Sequence, residues 1–189
     1  GGAMYYWAVN NSPSTFDRAQ IISAGGTLTV RGATVPSTGT IDATCPSLVN
    51  SILVSDASRF VIAFGCNPIN SAGTGIETYL DPLLIRWSDQ ESVSTWTPSA
   101  SNQAGDYRLS QGSSIVTAIQ TRQEILVWTD AAIYAMQYLG APYVWGFQIM
   151  GSNISIMGPN AVAVANNVTY WMGTDKFYMY SGRVETLAC

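Results

Sequence analysis

The sequence predicts an all-β chain: a β-propeller, or part of one, with about four four-stranded antiparallel blades. The first observation is an internal repeat, in which an apolar strand ends in tryptophan, a turn contains Thr-Asp, and the next strand has alternate tyrosines. Trp128 and Trp171 are 43 residues apart, a period typical of one propeller blade. The second observation is that only 11% of the residues are charged, which favours short strands and tight turns over helices. A β-sandwich is the alternative, because strand content alone does not separate the two folds.

The strand and turn pattern runs along the whole chain. We interpret residues 1–189 as a single all-β region from a longer chain. The strand and turn pattern is weakest in the first part of the chain. A hairpin is predicted there between 19–24 and 27–31 around Gly25-Gly26, because glycine accepts a positive φ without steric cost. The predicted blade-like units lie at about 5–45, 51–110, 114–150 and 160–189.

Two long loops interrupt the second unit. One runs from Cys66 to Asp81 and the other from Pro98 to Asp106. Loops of this length in a compact domain usually carry function, and ordering them costs about 1–2 kcal/mol per residue unless a partner offsets it. We therefore predict that they contact neighbouring subunits or another protein, with mobile surface loops as the alternative. The candidate interface residues are Ile69, Ile76, Tyr79, Leu80, Asn102 and Gln103.

Aromatic residues recur at matching positions of the last two units. We predict that they pack between blades, as aromatic side chains on repeated strands commonly do. The blade-core positions are Trp128, Tyr134, Trp171 and Tyr178. A sugar-stacking face is the alternative, and Tyr138 and Tyr180 would then belong to it.

The sequence predicts no enzyme, no metal and no cofactor. Histidine is absent, so the chain alone builds no Ser-His-Asp triad, Cys-His pair or His-ligated zinc site. Cys45, Cys66 and Cys189 are odd in number and lack C-x-x-C spacing, which favours buried or incidental thiols over a disulfide framework or zinc ribbon. Asp130 and Asp175 recur in the turns of the repeat, but no run of calcium ligands surrounds either, so we expect them to form turns.

Glycoside hydrolysis would need two carboxylates roughly 5–10 Å apart across the scissile bond. Several carboxylates lie in or beside the long loops, but their spacing singles out no pair. They are Glu77, Asp81, Asp89, Glu91 and Asp106.

Charge and hydropathy exclude two further classes of protein. The net charge is −4 with only eight Lys and Arg, whereas a general nucleic-acid binder needs clustered cations. No segment approaches the roughly 18 apolar residues of a membrane span. The sequence thus predicts a soluble chain without a membrane partner.

Four motifs between Trp87 and Phe147 carry a family resemblance. They are Trp87-Ser-Asp with Trp96-Thr-Pro, the segment 108–116, the segment 120–130 (QTRQEILVWTD) and the segment 140–147 (GAPYVWGF). Together with the last predicted unit, they resemble tailed-bacteriophage virion proteins of the head-to-tail or tail region, over about two-thirds of the chain.

This resemblance implies a structural role, in a tail nozzle, hub or stopper. The expected partners are further copies in a homo-oligomeric ring around the DNA channel and other tail proteins, with a passing contact to phage DNA and no small-molecule substrate. The expected location is the virion tail, after assembly in the host cytoplasm. A carbohydrate-binding β-propeller, lectin-like or for host receptor binding, is the alternative function.

Overall fold

The computed structural model describes residues 4–6, 20–22, 29–30, 33–34 and 42–187. Every regular element in these ranges is a β-strand, and the all-β prediction is confirmed. The first four strands form two antiparallel pairs, β1 with β2 and β3 with β4. They are β1 (Met4–Tyr6), β2 (Gln20–Ile22), β3 (Thr29–Val30) and β4 (Ala33–Thr34).

Most of the first predicted unit, 5–45, lies outside the described residues. The pairing of its described strands differs from the predicted hairpin, because 20–22 pairs with β1 and 29–30 pairs with β4. Gly25-Gly26, the predicted turn, lies outside the described residues.

The remaining strands form three four-stranded antiparallel sheets, each with its strands side by side in chain order. Sheet I contains β5 (Val49–Val54), β6 (Val61–Cys66), β7 (Asp81–Trp87) and β8 (Gly105–Arg108). Sheet II contains β9 (Ile115–Gln120), β10 (Ile125–Thr129), β11 (Ala132–Gly140) and β12 (Val144–Ser152). Sheet III contains β13 (Val162–Ala165), β14 (Val168–Met172), β15 (Phe177–Tyr180) and β16 (Val184–Thr186).

The chain divides into two compact units, Gly1–Tyr107 and Arg108–Cys189. The first contains sheet I except for Arg108, the last residue of β8, and the second contains sheets II and III.

One face of sheet I is covered by the residues around Cys45, which precede β5, and by the covering segment, residues 88–104 between β7 and β8. Trp96 packs there with Cys45, Ala63 and Leu84. Its backbone N–H donates to the Asp42 carboxylate at 2.7 Å, which fixes the covering segment. Burial of apolar side chains in this cluster supplies the local stabilisation.

The two cysteines of this core carry free thiols. Cys45 and Cys66 are both buried and unbridged. Burial raises the pKa of each thiol from 9.0 to about 12, because the thiolate is poorly solvated there. Neither thiol ionises near neutral pH, as expected of structural rather than reactive cysteines.

A buried arginine joins sheet I to the segments around it. Arg86 lies on β7 with 1% of its surface exposed. Its guanidinium donates to the backbone carbonyls of Asn67 and Trp96, each at 3.3 Å. The side chain thus ties the base of the 67–80 loop and the covering segment to one strand.

Sheets II and III pack face to face through an aromatic core. Leu126 and Trp128 of sheet II meet Trp171, Tyr178 and Tyr180 of sheet III. The rings of Trp128 and Trp171 make an edge contact with centroids 5.4 Å apart, and Trp171 stacks on Tyr178 at 5.3 Å. This core holds the two sheets together, since aromatic pairs add to the burial of apolar surface.

The strand register corrects the predicted equivalence of the two tryptophans. Trp128 pairs with Ile133 across four intervening residues, and Met172 pairs with Phe177 across the same number. Met172 therefore holds the hairpin position of Trp128, and the repeat is offset by one residue. Successive side chains of a strand point to opposite faces, so Trp171 faces sheet II whereas Met172 faces away from it.

Candidate functional site

The 67–80 loop is a small hairpin held by its own hydrogen bonds. Asn67 is buried at its base, where its amide oxygen accepts the N–H groups of Ser47 and Leu48 and its amide nitrogen donates to the Glu77 carbonyl. At the loop tip, the backbone N–H of Asn70 donates a hydrogen bond to the backbone carbonyl of Gly75 at 2.9 Å. The loop is ordered within the chain, so its ordering does not call for a partner.

The predicted interface residues of this loop differ in exposure. Ile69 and Ile76 form an isolated bridge and are half-buried, as is Leu80. Tyr79 is the most exposed of the four, at 59%. Of the four predicted interface residues in this loop, Tyr79 is therefore the most accessible to a partner.

The two predicted residues of the second loop form hydrogen bonds within the longer connection between β7 and β8. The Asn102 amide donates to the Thr97 carbonyl at 2.9 Å and accepts the N–H of Ser99. The Gln103 amide donates to Gln90 at 3.1 Å. Both side chains brace the loop.

The aromatic residues named from the repeat lie inside the second unit. Trp128, Trp171 and Tyr178 belong to the core between sheets II and III. Tyr134 is buried on the other face of sheet II, where its hydroxyl accepts the N–H of Gln111 at 2.8 Å. These rings pack against protein and offer no stacking face for a sugar.

The two aspartates of the repeat have different surroundings. The Asp130 carboxylate accepts hydrogen bonds from the Ser113 hydroxyl at 2.6 Å and the Ser113 N–H at 2.7 Å. These bonds lower the pKa of Asp130, because they favour its charged form. Asp175 instead lies beside the exposed Lys176 at 3.7 Å. Across the described residues, no three His, Cys, Asp or Glu side chains gather as a metal-ligand group.

Gly112 shapes the turn that presents Ser113 to Asp130. Its φ is +101°, and a Cβ there would lie 2.5 Å from Thr129 Oγ1 and 2.7 Å from Asp130 Oδ1. We expect Gly112→Ala to lower the free energy of unfolding of the second unit by about 2–4 kcal/mol, through strain and clash together. Urea unfolding followed by tryptophan fluorescence measures the change.

Gly182 provides the matched control, with φ +95° and nothing within 4 Å of its Cβ position. Gly182→Ala carries the backbone strain without the clash, and we expect about 1 kcal/mol. Equal losses in the two variants would contradict the steric argument.

The second unit contains a polar cleft of about 620 Å³ between the facing surfaces of sheets II and III. It lies where the aromatic core between the sheets ends. Three turns border it: 121–124, 166–167 and 181–182. The side-chain amides that line it belong to Gln123, Gln137, Gln148, Asn166 and Asn167.

A buried carboxylate lies in the wall of this polar cleft. Glu124 is 8% exposed and accepts a hydrogen bond from the Gln137 amide at 2.9 Å. Burial raises the pKa of Tyr180, and a hydrogen bond to Glu124 and its charge raise it further. None of the described residues that line the cleft is a lysine or arginine.

The turns around the polar cleft are fixed by local chemistry. Thr121 and Glu124 close their turn, since Thr121 donates to the Glu124 carbonyl through N–H at 2.8 Å and through Oγ1 at 2.7 Å. Asn166 and Asn167 have φ of 50° and 67°, the conformation of a two-residue type I′ turn, which asparagine tolerates better than most residues. The cleft therefore has a rigid border.

A second surface, the open face of sheet III, is the side turned away from sheet II. Tyr170, Met172, Phe177 and Leu187 lie on it, each 37–48% exposed. In sheet II, the positions that correspond to Tyr170, Met172 and Phe177 are filled by side chains that pack against sheet III. Those side chains are Leu126, Trp128 and Ile133.

Sequence reasoning missed both the polar cleft and the open face of sheet III. The Asn166-Asn167 dipeptide was a readable signal for a tight hairpin turn. The strand VTYWM has apolar side chains on both of its faces, which indicates a sheet that packs on both sides.

No family model matches the chain, and the search of curated proteins found no significant match. In the part of the chain described, no helix has the length and apolar character to cross a membrane.

Proposed function

We propose that this chain is a non-enzymatic structural protein of a phage virion, in the tail or the head-to-tail connection. In this proposal sheets I, II and III are consecutive blades of a propeller or partial propeller, and copies of the chain pack in a symmetric ring around the DNA channel. The open face of sheet III is the observation that carries the proposal.

Sheet III has the composition of a sheet buried on both sides. An antiparallel sheet with one solvated face normally alternates apolar and polar residues, yet both faces of sheet III are apolar. Its open-face residues Tyr170 and Met172 hold the positions at which Leu126 and Trp128 of sheet II pack against sheet III, which supports a further sheet packing here. Exposed apolar patches of this kind mark interaction sites.

A neighbouring copy of the chain suits the charge and size of this face. Its one ionisable carboxylate, Glu185, pairs with Arg183, so an apolar surface of the next copy in a ring would meet it without an unpaired charge. The face comprises nine side chains, fewer than the roughly 20–30 per partner of a standard stable interface. It therefore fits one contact among several, as a subunit in a ring makes.

The overall charge is compatible with a channel for DNA. The net charge is −4, and like charge keeps DNA from adhering to a surface that it passes.

The exposed Tyr79 remains our candidate for a contact to another tail protein.

A single charge on the open face of sheet III tests the assembly. We expect Phe177→Asp to convert the oligomer to monomer in sedimentation velocity and to prevent incorporation into particles, since burying an unpaired carboxylate is costly. Tyr143→Asp is the matched control, because Tyr143 is 77% exposed in the same unit and lies outside this face. A wild-type chain that stays monomeric at high concentration, or a Phe177→Asp chain that assembles normally, would contradict this interface.

Location in the virion tests the function itself. We expect cryo-electron microscopy of intact particles to resolve this chain in a ring of the tail or connector. Absence of the chain from purified virions would overturn the proposed function.

A further inference from the structure

We propose that the polar cleft between sheets II and III binds a neutral polyhydroxylated ligand, a segment of an oligosaccharide. This inference goes beyond the structural role proposed above and does not depend on it. It rests on the size of the cleft, its amide lining, the buried Glu124 and the rigidity of its border.

The volume and polarity of the polar cleft define the class of ligand. About 620 Å³ lies within the roughly 300–1,000 Å³ of small-molecule sites. Such sites are usually lined by apolar side chains with a few polar groups, whereas here amides and hydroxyls predominate. A ligand that gains from this lining must carry polar groups around most of its surface.

The amides match hydroxyl groups in hydrogen-bonding capacity. Each side-chain amide offers both donors and an acceptor, and each hydroxyl does the same. Gln137 and Gln148 lie on the surface of sheet II that faces sheet III, and Asn166 and Asn167 border the cleft from the β13–β14 turn. A sugar ring in the cleft thus meets amides from two sides.

Glu124 sets the charge that the ligand can have. Its buried carboxylate only accepts hydrogen bonds when ionised, and no lysine or arginine lines the described cleft to balance it. Hydroxyl donors suit this acceptor, whereas phosphate, sulfate or carboxylate groups of a ligand would be repelled. The cleft therefore favours neutral over acidic sugars.

A metal ion fits the same wall less well. Calcium takes six to eight oxygen ligands, commonly from several carboxylates. Glu124 is the one carboxylate among the lining residues, and no metal-ligand group occurs in the described ranges. The amide-rich lining, with its many donors, suits hydroxyls better than a cation.

The closed turns around the polar cleft reduce the cost of binding. The Thr121–Glu124 turn is closed by its own hydrogen bonds, and the Asn166-Asn167 turn has the backbone angles of a tight hairpin turn. A preformed site loses less conformational entropy on binding than one that must order its loops.

Glycan binding tests this inference directly. We expect the full chain to bind a subset of neutral glycans on an array and to bind their sialylated or uronic-acid counterparts at least tenfold more weakly. Isothermal titration with a neutral glycan from the array gives the dissociation constant. Gln148→Ala should raise this constant about tenfold, as loss of a bound amide does, and Tyr143→Ala, outside the cleft, should leave it unchanged.

Asn167→Gly provides a second variant that keeps the turn. Glycine accepts the φ of 67° at this position, so the variant removes the amide and retains the backbone. We expect the same tenfold weakening, with an unchanged thermal midpoint. Four results would overturn the inference: no neutral glycan bound at millimolar concentration, stronger binding of acidic glycans, binding of calcium alone, or affinities unchanged in both amide variants.

Discussion

Trp128→Ala is expected to lower the free energy of unfolding of the second unit by about 3–5 kcal/mol, the largest effect of any single truncation in its core. Trp128 is fully buried and meets Trp171 edge-on with ring centroids 5.4 Å apart. Alanine would leave a cavity between sheets II and III and remove the aromatic contact. Urea unfolding followed by far-UV circular dichroism measures the change without relying on the missing fluorophore.

Trp128→Phe separates packing from hydrogen bonding at this position. Among the described residues, the indole N–H of Trp128 has no hydrogen-bond partner, so phenylalanine removes a buried unsatisfied donor as well as part of the ring. We expect a loss of about 1–2 kcal/mol, well below that of alanine. If the two variants lost the same stability, packing between the sheets would not be the main contribution of Trp128.

Arg86→Ala is expected to lower the free energy of unfolding of the first unit by about 3–5 kcal/mol. The substitution removes a buried side chain and leaves the carbonyls of Asn67 and Trp96 without their donor. Each orphaned buried acceptor costs about 1–3 kcal/mol, and the cavity adds to this. Arg86→Met, which keeps the length of the stem, should recover part of the loss.

Arg59 supplies the control for this experiment. It makes an exposed ion pair with Glu91 at 2.6 Å, with 63% of its side chain accessible. Such pairs contribute little, so Arg59→Gln should change stability by less than about 1 kcal/mol. A similar loss in the Arg86 and Arg59 variants would mean that the buried guanidinium does not hold the loop base and covering segment to β7.

Composition and turn residues were sufficient to predict the all-β class, because both reflect local preferences of the backbone. The offset of the repeat was not predictable from the 43-residue spacing. Sheet II opens with a four-residue turn at 121–124, whereas sheet III opens with the two residues Asn166-Asn167. Even so, Leu126 pairs with Ile119 as Tyr170 pairs with Ala163, so this hairpin has the same one-residue offset as the next one and the turn length is not its cause. Sheet III carries apolar side chains on both faces, so a tryptophan in its strand does not by itself mark the register.

The polar cleft and the long loops mark the limit of sequence reasoning on function. Glu124, Gln148 and Tyr180 come from separate strands and turns, and only the packing of sheet III on sheet II brings them to one cleft. The loop prediction depends on the entropic cost of ordering the loop residues and does not include Asn67. The Asn67 amide makes three hydrogen bonds to neighbouring backbone groups, and these order the base of the loop without a partner. A single asparagine carries no sequence signal for that role.

The chain-order arrangement of strands within each sheet has a consequence for folding kinetics. Sheets II and III pair each strand with its sequence neighbour across short turns, so their hairpins close with little loop entropy and form early. Sheet I must close the connections 67–80 and 88–104 before its last two strands pair. We therefore expect the second unit to fold faster than sheet I. Since the ribosome makes sheet I first, the order of synthesis and the order of folding run in opposite directions along this chain.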